Sequence, residues 1–127
     1  MTFKILIADD ENESRHIIKE AVSAALADCD FVFAENGREA LDKATSENLD
    51  LVIIDIIMPF MNGVESLKVI RMSEPDLPII VVSGSAGNEL KDEALKSGAN
   101  LLFEKPIEIS ELATAIQKIF GVSSEGI

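Results

Sequence analysis

Leu51-Val52-Ile53-Ile54-Asp55 is the stretch on which the fold turns. Four apolar residues, three of them β-branched, run without alternation into a carboxylate. A short, continuously apolar run fits a strand buried on both faces, as in a parallel sheet covered by helices on either side. Working outward, Ile79-Ile80-Val81-Val82 repeats the pattern and stops at Ser83, and Phe3-Lys4-Ile5-Leu6-Ile7-Ala8 stops at Asp9-Asp10. Two weaker runs, Phe31-Val32-Phe33-Ala34 and Leu101-Leu102-Phe103, complete the set. The first of these is short and flanked by Asp30 and Glu35, which suits a place nearer the sheet edge.

Helical patterns fill the intervals. Glu13 to Ala27 carries Ile17, Ile18, Ala21, Val22, Ala25 and Leu26, and a second helix runs from Arg38 to about Glu47 after the Asn36-Gly37 turn. A third follows the break at Pro59–Gly63 and reaches about Met72; a fourth follows Ser83–Gly87 and ends near Lys96. From Ile109 to Phe120, Leu112, Ile116 and Phe120 form one stripe of an amphipathic helix. Strands alternating with helices build βαβ units, so the expectation is an α/β, doubly wound (βα)5 three-layer sandwich around a five-stranded parallel sheet. Residues 1–121 make one domain, and 122–127 read as a C-terminal tail.

Composition narrows the functional classes. At 127 residues and a net charge of −12, the chain has the length of one domain and repels phosphate backbones and anionic lipid heads. Direct nucleic-acid binding and membrane insertion are therefore not expected, and no apolar run of about 18 residues offers a spanning helix. Cys29 has no second cysteine to pair with, which makes a reducing cytoplasm the expected location.

Ligands of doubly wound sheets sit beyond the carboxyl ends of the strands. There this sequence places Asp9 and Asp10, Asp55, Ser83 and Glu104-Lys105-Pro106. Two carboxylates about 4 Å apart repel by roughly 4 kcal/mol at an effective dielectric near 20. Three carboxylates against one lysine leave a deficit that a hard divalent cation fits, Mg²⁺ by preference, with Mn²⁺ a possible substitute. A hydroxyl and an ammonium beside them suit the oxygens of a phosphoryl group. Asp55, alone at the end of the presumed central strand, is the candidate nucleophile.

In these residues the chain resembles the response-regulator receiver domains of two-component signalling, with the CheY-like (flavodoxin-like) fold. The resemblance spans about residues 3 to 120 and rests on Ile7-Ala8-Asp9-Asp10-Glu11, Asp55 through Gly63, Val82-Ser83-Gly84, and Gly98-Ala99 followed by Lys105-Pro106. It implies a strand order 2-1-3-4-5 and phosphoryl transfer from a phosphohistidine onto Asp55. It further implies direct Mg²⁺ ligation by Asp10 and Asp55, with Asp9 acting through water and the backbone carbonyl of Ile57 completing the set. Ser83 and Lys105 would bind the phosphoryl oxygens, and the bond before Pro106 would be cis. The implied partners are a sensor histidine kinase or histidine phosphotransfer protein, and an unknown downstream protein target met through the fourth helix, fifth strand and fifth helix.

Four positions stand out against the family's frequent choices. Leu102 stands where an aromatic switch residue is common, and strand alternation sends Phe103 to the opposite face. Ile57 and Ser85 occupy positions that tune the lifetime of the phosphoryl group; an apolar Ile57 would impede attacking water and lengthen it. Ser83 stands where threonine is also found.

Other readings remain open on the sequence. Asp9-Asp10 is also good helix N-cap chemistry. A phosphohydrolase of the haloacid-dehalogenase kind places its two aspartates two residues apart, whereas 45 residues separate Asp10 from Asp55 here. A flavin site is disfavoured by Asp9-Asp10-Glu11 and by the lack of Trp and Tyr. The main alternative is a degenerate receiver serving as an unphosphorylated interaction module. Length leaves room for a stand-alone regulator, or for a piece cut from the N-terminal end of a longer protein.

Overall fold

A computed structural model describes residues 2–122. The expected tail beyond 122 lies outside the described residues. Five strands, β1 (Phe3–Ala8), β2 (Cys29–Ala34), β3 (Leu51–Asp55), β4 (Ile79–Ser83) and β5 (Leu101–Glu104), alternate with α1 (Asn12–Ala25), α2 (Gly37–Ser46), α3 (Gly63–Ser73), α4 (Asn88–Lys96) and α5 (Ile109–Phe120). All strand pairs are parallel, in the order β2-β1-β3-β4-β5.

Strand alternation sorts the apolar residues into two cores. Ile5, Ile7, Leu51, Ile53, Ile80 and Val82 face α1 and α5, which contribute Ile18, Val22, Leu112 and Ile116. Their neighbours Leu6, Val52, Ile54, Ile79 and Val81 face α2, α3 and α4, meeting Ala40, Ala44, Leu67, Ile70 and Ala94. β3 and β4 are buried along their whole length, as their unbroken hydrophobicity requires. β2 is half-exposed at the edge, pairing only with β1.

Small differences from the sequence reading have local causes. α1 ends at Ala25 rather than Ala27, because Leu26 turns extended and drops into the core. β2 starts at Cys29, two residues before the apolar run, because Phe3 and Lys4 pair with Cys29 and Asp30 in the β1 register.

The loops around the sheet's carboxyl edge are fixed by specific contacts. Asn62 and Glu65 form a reciprocal capping box at the start of α3. The buried Ser66 hydroxyl donates to the Gly37 carbonyl at 2.8 Å, which ties α3 to α2. Arg71 gathers the far side by donating to the carbonyls of Glu74, Leu77 and Gly98. Burial lowers the pKa of that guanidinium from its ordinary value.

Candidate functional site

Asp9, Asp55, Ser83 and Lys105 meet at the carboxyl edge of the sheet. Asp9 follows β1 and is fully buried (0% exposed), Asp55 closes β3 at 4%, and Ser83 closes β4 at 1%. The sheet holds these positions through its own ladder: Ile56 N–H donates to Val82 O (3.0 Å), and Lys105 N–H to Ser83 O (2.8 Å). Lys105 thus enters from the end of β5, and its Nζ reaches Asp55 Oδ2 at 2.8 Å, Asp9 Oδ2 at 2.9 Å and Glu11 Oε1 at 2.9 Å. The Lys105–Pro106 peptide bond is cis, as the resemblance implies.

Burial raises the pKa of Asp9 above the usual carboxylate range; the Glu11 N–H bonded to Asp9 Oδ1 and the charge of Lys105 oppose the rise only in part. For Lys105 desolvation works against the charge. The three carboxylates outweigh it and push the ammonium above its ordinary value, so it is charged throughout the neutral range. Asp55 Oδ1 accepts the Ile57 N–H at 3.0 Å, which fixes the carboxylate plane.

Two buried polar atoms are left over. Among the described residues, Asp9 Oδ2 and Ser83 Oγ have no hydrogen-bond partner. Asp9 Oδ2 stands 2.9 Å from Lys105 Nζ, an ion pair that offsets part of the cost of its burial. A buried polar atom left unsatisfied costs about 1–3 kcal/mol. Both atoms lie where the strands end, so a bound cation and a bound oxyanion are the groups whose chemistry would satisfy them. Carboxylate oxygens of Asp9, Glu11 and Asp55 lie within 4.8 Å of one another, and this group could hold a metal ion. With one lysine against three carboxylates, two negative charges remain uncompensated, which is the deficit a divalent cation fills.

Asp10 and Glu11 are placed differently around this cluster. The Asp10 side chain is exposed and lies outside the group, whereas Glu11 joins it. Asp9 Oδ1 turns the chain through the Glu11 N–H, which brings Glu11 to the Lys105 side. In the sequence, Glu11 is marked only by its position two residues after Asp9. Nor is the α1 terminus capped by an aspartate, since Glu11 is the N-cap residue and makes no side-chain cap. Leu102 packs into the core under α2–α4 and Phe103 into the core under α1 and α5, so the two side chains do lie on opposite faces. A hollow of about 170 Å³ beside the site is lined by Glu11, Lys105, Pro106 and Ile107 among others.

A doubly wound parallel sheet with a lysine-bridged acidic cluster beyond its strand ends belongs to the class of α/β domains that carry their sites at that edge. Within it, the response regulator receiver domain family model matches residues 5–117, and the chain belongs to that family, the receiver domains of two-component signalling. It is 34% identical over 116 residues to the chemotaxis protein CheY of Thermotoga maritima, covering 91% of this chain and 96% of that protein. Against sporulation initiation phosphotransferase F of Bacillus subtilis it is 32% identical over 98% of each chain. A CheY-like response regulator receiver domain structure from Methanospirillum hungatei matches with a TM-score of 0.87 at 26% identity, covering 95% of both chains. Among the described residues no helix is long and apolar enough to cross a membrane.

Proposed function

We propose that this receiver domain accepts a phosphoryl group on Asp55 from a phosphohistidine and thereby changes its affinity for a protein partner. The observation that carries the reading is the Asp55 carboxylate itself. It is almost fully buried and held by Lys105 and by the Ile57 N–H, and the neighbouring strand β4 ends in Ser83, whose hydroxyl has no partner of its own.

In the proposed step an Asp55 carboxylate oxygen attacks phosphorus. The P–O bond to Asp55 forms as the P–N bond to the donor imidazole breaks, and the imidazole nitrogen leaves with the electron pair and takes a proton from solvent. Lys105, already 2.8 Å from Asp55 Oδ2, follows the charge onto a phosphoryl oxygen. The Ser83 hydroxyl donates to another, which gives that buried group its missing partner. Asp10 and Asp55 would hold Mg²⁺ directly, with Asp9 acting through water and the Ile57 carbonyl completing the set, as the resemblance implies; Glu11 shares the acidic group with Asp9 and Asp55. When bound, the cation neutralises charge among the carboxylates and on the phosphoryl oxygens. Ile57, exposed beside the acceptor, screens the acyl phosphate from water.

The proposed donor is a sensor histidine kinase or a histidine phosphotransfer protein, in the cytoplasm. The proposed output surface is α4, β5 and α5. It is supported by the exposed Leu95 and Leu101 and by the weak anchoring of α4, in which Ala94 is the one buried residue among those described. Incubation with Mg²⁺ and acetyl phosphate tests the central step. Intact mass should rise by about 80 Da, one phosphoryl group, and Asp55→Asn should abolish the gain. An unmodified wild-type chain would replace this reading with an unphosphorylated interaction module. An equal gain on the variant would remove Asp55 as the acceptor.

A further inference from the structure

Phe60 adopts a positive φ of 69°, and among the described residues no other non-glycine residue does so. Met61 N–H donates to Pro59 O at 2.9 Å across it, which closes a three-residue γ-turn with Phe60 at its centre. With a positive central φ this turn is the rare, strained kind, and a bulky residue in it is an outlier. The strain gains no burial in return, because Phe60 is 92% exposed. An aromatic ring held in a strained turn and left in water gains nothing from packing against the fold. Such outliers point to a site of function.

The loop's position says what the ring can meet. Its two ends are fastened at the acceptor: Gly63 N–H donates to Ile56 O at 2.7 Å, and Gly63 packs against the Asp55 carbonyl so closely that it admits no side chain. Phe60 is three positions before Gly63, so chain reach keeps its Cα within about 11 Å of that anchor. Ile57, whose N–H holds the Asp55 carboxylate, is 46% exposed on the same loop. From Ile56 to Val64 the chain carries no charged residue, although its net charge is −12. A protein bearing an anionic phosphohistidine meets repulsion over much of this surface but not over this uncharged apolar rim.

We infer that Phe60 is a docking residue for the protein that delivers the phosphoryl group, its ring buried against that partner when the phosphohistidine reaches Asp55. The inference rests on the reading of Asp55 as acceptor. It makes a distinction between donors: a small acyl phosphate needs nothing from Phe60, whereas a protein donor does. Phe60→Gly removes the ring and the strain, Phe60→Ala removes the ring but keeps the strained position, and Phe60→Tyr keeps both.

The probes are acetyl phosphate with Mg²⁺ and a panel of autophosphorylated histidine kinases from the organism that encodes the chain. All four proteins should take a phosphoryl group from acetyl phosphate at equal rates, and Phe60→Gly should be at least as heat-stable as Phe60→Ala. Transfer from the kinase that labels the wild type should fall about tenfold or more in Phe60→Gly and Phe60→Ala, the scale of a lost interface anchor, and persist in Phe60→Tyr. Unchanged transfer to the glycine and alanine variants, with acetyl phosphate labelling intact, overturns the docking role alone. Loss in Phe60→Gly but not in Phe60→Ala also overturns it, since turn geometry and not the ring would then matter. A wild-type chain that acetyl phosphate does not label overturns the acceptor reading and this inference with it. A panel with no active member, when acetyl phosphate does label Asp55, overturns the donor class.

Discussion

At the scale of single residues, Gly63 sets a tight constraint directly on the acceptor. A Cβ there would stand 2.1 Å from the Asp55 carbonyl oxygen, a backbone atom that cannot turn aside. Gly63→Ala must therefore part α3 from the end of β3, and overpacking of this kind costs about 1–3 kcal/mol, occasionally more. Urea denaturation should show a loss of that size. Gly84→Ala, whose Cβ would meet only the flexible Lys105 Cδ at 3.4 Å, should stay within about 0.5 kcal/mol of wild type. A Gly63→Ala chain as stable as the parent would mean that the loop yields freely. Residue identity was readable here in part. Asp9, Asp55, Ser83 and Lys105 interrupt apolar strands at their carboxyl ends, so topology alone gathers them. Glu11 and Phe60 lie in loops, where turn hydrogen bonds and a single dihedral decide what a side chain faces, and strand or helix periodicity says nothing about either.

At the scale of elements, legibility follows burial. β3 and β4 are buried throughout and their apolar runs mark them plainly, and α5 spans Ile109–Phe120 as its stripe predicts. β2 lies at an edge with half its surface in water, so its first two residues, Cys29 and Asp30, carry no hydrophobic mark. α4 is the element whose sequence and structure agree on weakness. Ala94 is its one buried residue among those described, its N-cap residue Gly87 offers no side-chain cap, and an exposed Lys91–Glu104 ion pair ties it to β5. Exposed pairs of this kind contribute little. α3, by contrast, buries Val64, Leu67 and Ile70 and has a complete capping box. Amide hydrogen exchange should therefore find α4 the least protected of α3, α4 and α5, opening well below the global unfolding free energy. Protection of α4 equal to that of α3 would argue against the weak anchoring that supports the proposed output surface.

Over the whole molecule, charge is the quantity that links fold and site. The excess of acid is spread through the chain, yet two uncompensated negative charges are concentrated where Asp9, Glu11 and Asp55 share one lysine. These groups respond to pH in opposite directions. Glu11, Glu47 and Glu104 are held below their ordinary values by Lys105, Lys4 and Lys91, so the stability they add is present above the unfolded carboxylate pKa and is lost as pH falls through their folded values. Asp9 is raised by burial, so its contribution to the cation-free fold is present in acid and is lost as pH rises through its folded value. The ionised form of the buried Asp9 thus weakens the cation-free protein. Asp9→Asn should be at least as heat-stable as the wild type in EDTA. Mg²⁺ at ten times its dissociation constant should add about 1.4 kcal/mol to the wild type, a rise on the order of 4 °C in Tm, beyond what NaCl of equal ionic strength produces by screening alone. That increment should vanish in Asp9→Asn, and in the wild type it should fade as pH falls and Asp9 takes up its proton. Differential scanning calorimetry in EDTA, NaCl and MgCl₂ measures all three. An equal gain from NaCl, or a Mg²⁺ gain that survives Asp9→Asn, would reduce the acidic cluster to one more part of the protein's general negative charge.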